Sequence, residues 1–230
     1  VARLSKIDVA YVLGLVNFHT VEFTGQATGR AVVNGDLKNP QLNAKIRVDD
    51  FHFNTGYMGT AHILGGWSKE EGRINLDAHI VEDGVGYTDV LGFVSLAEKG
   101  LDLDIKSEQT TLQFLKPYIG HIFTNLDGRT TGRMRLHGPF KKLDFEGEET
   151  ASLSAHLDVT GVDYTLTNGR VHVRPGIFEF ADFKVADKTG KGTGIAAGAL
   201  HHEHLKNLRY EFDLDVKNML LYDRPREHDM

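Results

Sequence analysis

Hydrophobic and polar residues alternate along most of this chain. Ala44, Ile46 and Val48 alternate with Lys45 and Arg47. Ile74, Leu76, Ala78 and Ile80 alternate with Asn75, Asp77 and His79, and Leu101, Leu103 and Ile105 with Asp102 and Asp104. The pattern returns in Leu153, Ala155, Leu157 and Val159, and again in Phe212, Leu214 and Val216. A period of two sends successive side chains to opposite faces, so each run predicts a strand with one apolar and one hydrated face. Asn34-Gly35, Asp83-Gly84, Asp127-Gly128 and Asn168-Gly169 read as turns between the runs. At roughly 12 residues per strand and turn, about 15–18 strands are expected. Two stretches carry helical spacing instead. Asp8 can cap a helix that places Val9, Val12, Leu13 and Val16 on one face. Leu112, Leu115, Ile119 and Phe123 are spaced for a second helix, which Pro117 should end or kink.

The strands are punctuated by glycines in a repeated spacing. Gly25, Gly29 and Gly35 share a register with Gly128, Gly132 and Gly138, and Thr28 matches Thr131 as Arg30 matches Arg133. Glycines six apart recur at Gly59/Gly65, Gly86/Gly92 and Gly192/Gly198. A repeated strand–turn unit builds an elongated sheet, and glycine within a strand permits the sharp bends that let a large sheet curl. Gly29, Gly35, Gly132, Gly138, Gly192 and Gly198 are the candidate structural glycines. The expected fold is therefore mainly β: an elongated curled sheet, open as a trough, with one or two short helices. Residues 1–230 form a single repetitive segment with modules at roughly 22–125 and 126–230, and no Pro- or Ser-rich linker divides them.

Composition narrows the partners. The net charge is −6, which argues against a polyanion such as nucleic acid. There are no cysteines, so disulfides and thiolate metal sites are excluded. The uncharged run from Val9 to Val21 contains Asn17, His19 and Thr20 and falls short of the roughly 18 apolar residues of a spanning helix. The chain starts without Met and reads as a piece of a longer protein.

Catalytic chemistry finds little support. His201-His202-Glu203-His204 is the densest histidine cluster, and a strand would put His202 and His204 on one face, but a solvated strand end explains it as well. Asp102/Asp104 and Asp213/Asp215 resemble paired carboxylates, yet their alternation with aliphatics turns them all outward. Gly190-Lys191-Gly192-Thr193-Gly194 leads into a strand-like run and not the helix of a phosphate loop. Trp67 reads as a cap on the apolar face or a turn residue. No metal and no cofactor is expected, and the chain is not expected to be an enzyme.

The ordered series of modules resembles the TamB-like, AsmA-like family of bacterial envelope proteins, in the form found in Bacteroidota. The likeness is carried by VEFTGQATGRAVVNGDLKNPQLNAKIRVDDFHF, with its paired glycines and Asn39-Pro40; by TGVDYTLTNGRVHVRPGIFEF, with Tyr164, Asn168 and Pro175-Gly176; and by DKTGKGTGIAAGALHHEHLKNLRYEFDLDVKNMLLYD, with Asp187, Gly190, Gly198, His201, Asn207 and Phe212. The resemblance implies a taco-shaped β-sheet in the periplasm, within a protein anchored in the inner membrane by a segment that this chain lacks. It implies partners of two kinds: phospholipid acyl chains, and an outer-membrane barrel of the TamA/BamA type. Family members are viewed as bridges for phospholipid movement, and alternatively as assembly modules that pair strands with a barrel or client.

The residues allow the same reading independently. An apolar face that only short helices can cover is sticky in water, and acyl chains would cover it. The candidate lining is Ile74, Leu76, Ile80, Leu101, Leu103, Ile105, Leu153, Leu157, Val159, Phe212, Leu214 and Val216, and few polar residues fall at the inferred inward positions. The alternation by itself is more often the core of a β-sandwich, and it is the repeat together with the family likeness that favours an open trough. An adhesive or carbohydrate-binding β protein is a third possibility, but aromatic residues make up only 9% of the chain, which leaves few platforms for sugars.

Overall fold

The structure is a computed structural model that describes residues 2–10, 22–34, 41–82, 84–120, 123–204 and 206–223. Thirteen strands form a single antiparallel sheet in strict chain order: β1 (Ala2–Asp8), β2 (Phe23–Asn34), β3 (Gln41–Phe53), β4 (Gly56–Ser68), β5 (Arg73–Glu82), β6 (Gly86–Ser95), β7 (Gly100–Thr111), β8 (Phe123–Pro139), β9 (Asp144–Leu157), β10 (Val162–Arg174), β11 (Ile177–Asp187), β12 (Thr193–Glu203) and β13 (Lys206–Lys217). The sheet is not closed, so β1 and β13 are its two edges. Between β7 and β8 the chain forms a 3-10 turn (Gln113–Leu115) and a short helix, α1 (Lys116–Ile119). Among the described residues, no helix is long and apolar enough to cross a membrane.

The described strands are fewer and longer than the turn signals suggested, because two of those signals lie inside strands. Asp127-Gly128 is within β8 and Asn168-Gly169 within β10. Asn125 and Asn168 adopt positive φ (49° and 53°), and the register shifts beside each. Asparagine tolerates this left-handed conformation better than most residues, so the signal marks β-bulges here and not chain reversals. Lys6, Asp50, Gln109 and Asp182 do the same in β1, β3, β7 and β11. Gly84 does lie in a turn, while Gly35 and the predicted helix beyond residue 10 lie outside the described residues. Pro117 sits in the first turn of α1, where its missing N–H has no intrahelical partner to lose, so it begins the helix instead of breaking it.

A bulge leaves a backbone N–H without its ladder partner, and this chain supplies hydroxyls to satisfy it. Thr28 Oγ1 accepts the Lys6 N–H (3.3 Å), Thr131 Oγ1 accepts that of Gln109 (3.0 Å), and Ser152 Oγ accepts that of Asn168 (3.0 Å). The repeated Thr28 and Thr131 thus perform the same task on β2 and β8. The glycine one residue further along allows neighbouring backbones to approach. A Cβ at Gly29 would lie 2.2 Å from the Lys45 carbonyl oxygen, and one at Gly132 would lie 2.2 Å from that of Glu148.

The bulged sheet curls. β4 and β13 are nine strand steps apart, about 43 Å in a flat sheet. Yet one residue of the β7–β8 segment touches both ends: the Asn54 amide, in the β3–β4 turn, donates to the Tyr118 hydroxyl (3.4 Å), and the Tyr210 hydroxyl, on β13, donates to the Tyr118 carbonyl (2.9 Å). No single tyrosine could reach across the flat sheet. The accessible surface is 14243 Å², against roughly 10,400 Å² for a compact monomer of this mass. That excess fits a single curled layer.

Candidate functional site

Register turns the alternating pattern into continuous rows across the sheet. One row runs Leu4, Gly29, Ile46, Ile63, Ala78, Val90, Ile105, Met134, Gly147, Val173, Phe178, Leu200, Tyr210, one residue from each strand. The next row in one direction includes Gly65, Leu76, Gly92, Leu103 and Leu136, and the row beyond it pairs Trp67, Ile74, Val94 and Leu101. In the other direction Ile80, Val171, Phe180 and Phe212 share a row. All of these side chains lie on one face of the sheet.

The candidate lining residues Ile74, Leu76, Ile80, Leu101, Leu103, Ile105, Leu153, Leu157, Phe212, Leu214 and Val216 are all on this face. Leu153, Leu166, Val185, Gly194 and Val216 form one of its lower rows. Phe212 and Leu214 lie on the edge strand and are 59% and 52% exposed. Val159 does not belong with them: it sits in the β9–β10 turn, 70% exposed, because the alternation of β9 ends at Leu157. Gly192 also departs from expectation. It precedes β12, and a Cβ there would meet Asp187 and the backbone of Met219, so it makes room for the C-terminal tail and does not bend a strand.

The opposite face is polar. Arg135 forms a two-pronged pair with Asp102 (2.7 and 2.6 Å), which holds the Asp102 carboxyl below its ordinary range. Asp104, Asp213 and Asp215 are exposed. His79 contacts Asp89, and His172 contacts Glu148. In the histidine cluster, His201 faces Glu211, His202 packs on Phe178 with its pKa lowered by burial, and His204 faces Asp144. The described residues hold no group of three or more side chains placed to bind a metal.

Two features of the apolar face were not legible in the pattern. The first is its partial cover. Phe114 packs against the cluster of Val48, Phe51, Met58 and Ile80, and also against Leu112, Ala151 and Phe183. The 113–119 segment therefore lies across the face, tied down by Asn54 and Tyr210. The second is a polar belt in the middle four strands. Thr88, Ser107, Gly132 and Glu149 occupy the row that is apolar elsewhere. Thr110 and Thr130 pair beside them, and Thr88 and Thr110 share a hydroxyl–hydroxyl bond of 2.7 Å. The expectation of few polar inward residues thus fails here. Glu148-Glu149 breaks the alternation, and only the register of β9 shows which of the two carboxyls turns inward. Compared with known proteins, the chain matches no family model, no curated protein and no solved structure.

Proposed function

We propose that this chain is a segment of a TamB-like protein, anchored in the inner membrane elsewhere in the parent, that spans part of the periplasm. In this reading its apolar face binds phospholipid acyl chains and lets them pass between the inner and outer membranes, with no reaction catalysed. The observation that carries the reading is the thirteen-residue row from Leu4 to Tyr210, apolar or glycine throughout except for its terminal tyrosine, with no second sheet packed upon it among the described residues. Burial of a methylene gains roughly 0.8 kcal/mol, so a 16-carbon chain gains on the order of 10 kcal/mol at most. An aliphatic lining offers nearly equal energy at successive positions, as sliding requires.

The test is a photo-crosslinker at Ile105, on the apolar face, and at Asp104, beside it on the polar face. Phospholipid adducts at Ile105 alone support the reading, and equal labelling at both positions counts against it. Organic extraction of the purified chain followed by mass spectrometry identifies the lipid.

A second reading, assembly of outer-membrane proteins by strand pairing with a TamA/BamA-type barrel or its client, is favoured by one observation. β13 is a twelve-residue open edge that exposes Phe212 and Leu214. It predicts that proline at Leu214 does more harm than a charge at Ile105.

A further inference from the structure

Glu149 is a carboxyl only 6% exposed on an otherwise apolar face. Its side chain lies over Gly132, where a Cβ would come within 2.9 Å of the Glu149 Cδ. Oε2 is 2.8 Å from Thr130 Oγ1, Oε1 is buried without a well-formed hydrogen bond, and the Ser107 hydroxyl lies close enough to act on the carboxyl. Among the described residues, no positive group is there to balance a charge. On this face, the neighbouring positions of β7 (Ile105, Ser107, Thr110), β8 (Thr130, Gly132, Met134) and β10 (Gly169, Val171, Val173) carry nothing that titrates. In the 113–119 segment the titratable groups are Lys116, which is exposed, and Tyr118, which is bonded to Asn54 and Tyr210.

The two contacts of Thr130 accommodate a neutral acid. Thr130 Oγ1 also lies 3.3 Å from the Thr150 carbonyl, and a hydroxyl has one proton to give. If Glu149 is protonated, it donates to Thr130 and Thr130 donates to Thr150. If it is ionised, Thr130 must abandon the carbonyl to serve the carboxylate. Burial is the largest influence and raises the Glu149 pKa, against the Thr130 and Ser107 hydroxyls, which lower it.

We infer that Glu149 is a proton-binding site set into the apolar face, and that its protonation decides whether the belt around it accepts hydrocarbon. The inference rests on the acyl-chain reading above. The belt lies between two apolar clusters, one around Leu76, Leu101 and Leu103 and the other around Leu153, Leu166 and Phe183. The belt side chains are themselves buried, so an alkyl chain crosses only by displacing what covers them, and a neutral belt of hydroxyls and carboxylic acid makes that crossing less costly than an ionised one. An ionised carboxylate draws in water and divides the face in two.

The experiment places photo-crosslinkers at Ile105 and at Leu153, on either side of the belt, and presents vesicles of phosphatidylethanolamine and phosphatidylglycerol at pH about 5 and about 9. Ile105 should label at both values. Leu153 should label at the lower pH and fall about ten-fold at the higher, and Glu149→Gln should abolish that fall. In parallel, infrared difference spectra of the wild-type chain carrying 13C-glutamate should retain a protonated carboxyl band above the ordinary glutamate range, absent from E149Q. The inference is overturned if the band disappears within the ordinary range, or if E149Q keeps the pH dependence at Leu153. Should neither site label at any pH, the acyl-chain reading fails, and with it the role in passage, while the infrared band still decides the proton site.

Discussion

The Tyr210 hydroxyl donates to the Tyr118 carbonyl at 2.9 Å and so ties the last strand of the sheet to the segment that follows the seventh. Because Asn54 holds the other side of the same segment through Phe114 and Tyr118, the segment links two distant parts of the curled sheet. Tyr210→Phe should lower stability by about 1 kcal/mol, the typical net value of one such bond. The larger effect should be local: faster amide exchange over residues 113–119, with β5 and β6 unchanged. Exchange mass spectrometry checks both, and uniform acceleration would show that the bond does not act on the curl.

Thr131 performs the second linkage, satisfying the bulged N–H of Gln109. Valine keeps its shape and removes the acceptor, so Thr131→Val should cost roughly 1–3 kcal/mol by leaving a backbone donor unpaired. Thr131→Ser should largely retain stability. Urea unfolding of the two variants separates acceptor loss from packing.

The sequence displays the first layer of this design openly and conceals the second. Period-two runs identified β3, β5, β7, β9 and β13 and, except at Val159, the face their apolar residues share, because alternation is fixed locally. Thr28 and Thr131 stood out as a repeat, but their role depends on bulges in the preceding strands, which no local rule reveals. Asn168-Gly169 was indistinguishable from a hairpin turn, since asparagine at positive φ serves both. Glu149 was hidden by its neighbour Glu148: in a charged pair, the inward residue is set by register with Gly132 and Val171. The cover provided by Phe114 depends on contacts some sixty residues apart in the chain.

Glycine positions should divide sharply. A Cβ at Gly169 would fall within 2.1 Å of the Phe183 ring, and one at Gly132 would meet the Glu148 carbonyl, whereas at Gly65 the nearest atom is the Ala44 Cβ at 3.7 Å. Gly169→Ala and Gly132→Ala should each destabilise by about 1–3 kcal/mol. Gly65→Ala should be tolerated or mildly stabilising, because it restricts the unfolded chain. Thermal melts of the three variants test the ranking.

A charge on the apolar face should separate folding from lipid contact. Ile105 is half-buried in the thirteen-residue row. Arginine there can run its stem along the face and lift its head to water, so Ile105→Arg should keep the far-UV spectrum of the sheet. Phospholipid recovered with the purified protein should fall several-fold relative to Asp104→Arg, which alters the opposite face by the same side chain. Equal recovery from the two variants would remove Ile105 from the lining.

Two buried carboxyls should bend the pH profile of stability in opposite directions. Asp187 accepts bonds from the Thr189 hydroxyl, the Leu220 N–H (2.7 Å) and the Thr189 N–H (2.8 Å), and these hold its pKa below the ordinary aspartate value. Its folded form prefers the charge, so its contribution is complete above the unfolded pKa and is lost as pH falls through the folded one. Glu149 has the reverse sign. Its folded form prefers the proton, so its contribution is complete below the unfolded pKa and is lost as pH rises through the raised folded value. Asp187→Asn should therefore lower stability at neutral pH and converge on wild type in acid. Glu149→Gln should match wild type in acid and exceed it at alkaline pH. Urea midpoints measured across the range check each limb separately, and an alkaline limb that survives in Glu149→Gln would assign that slope to another group.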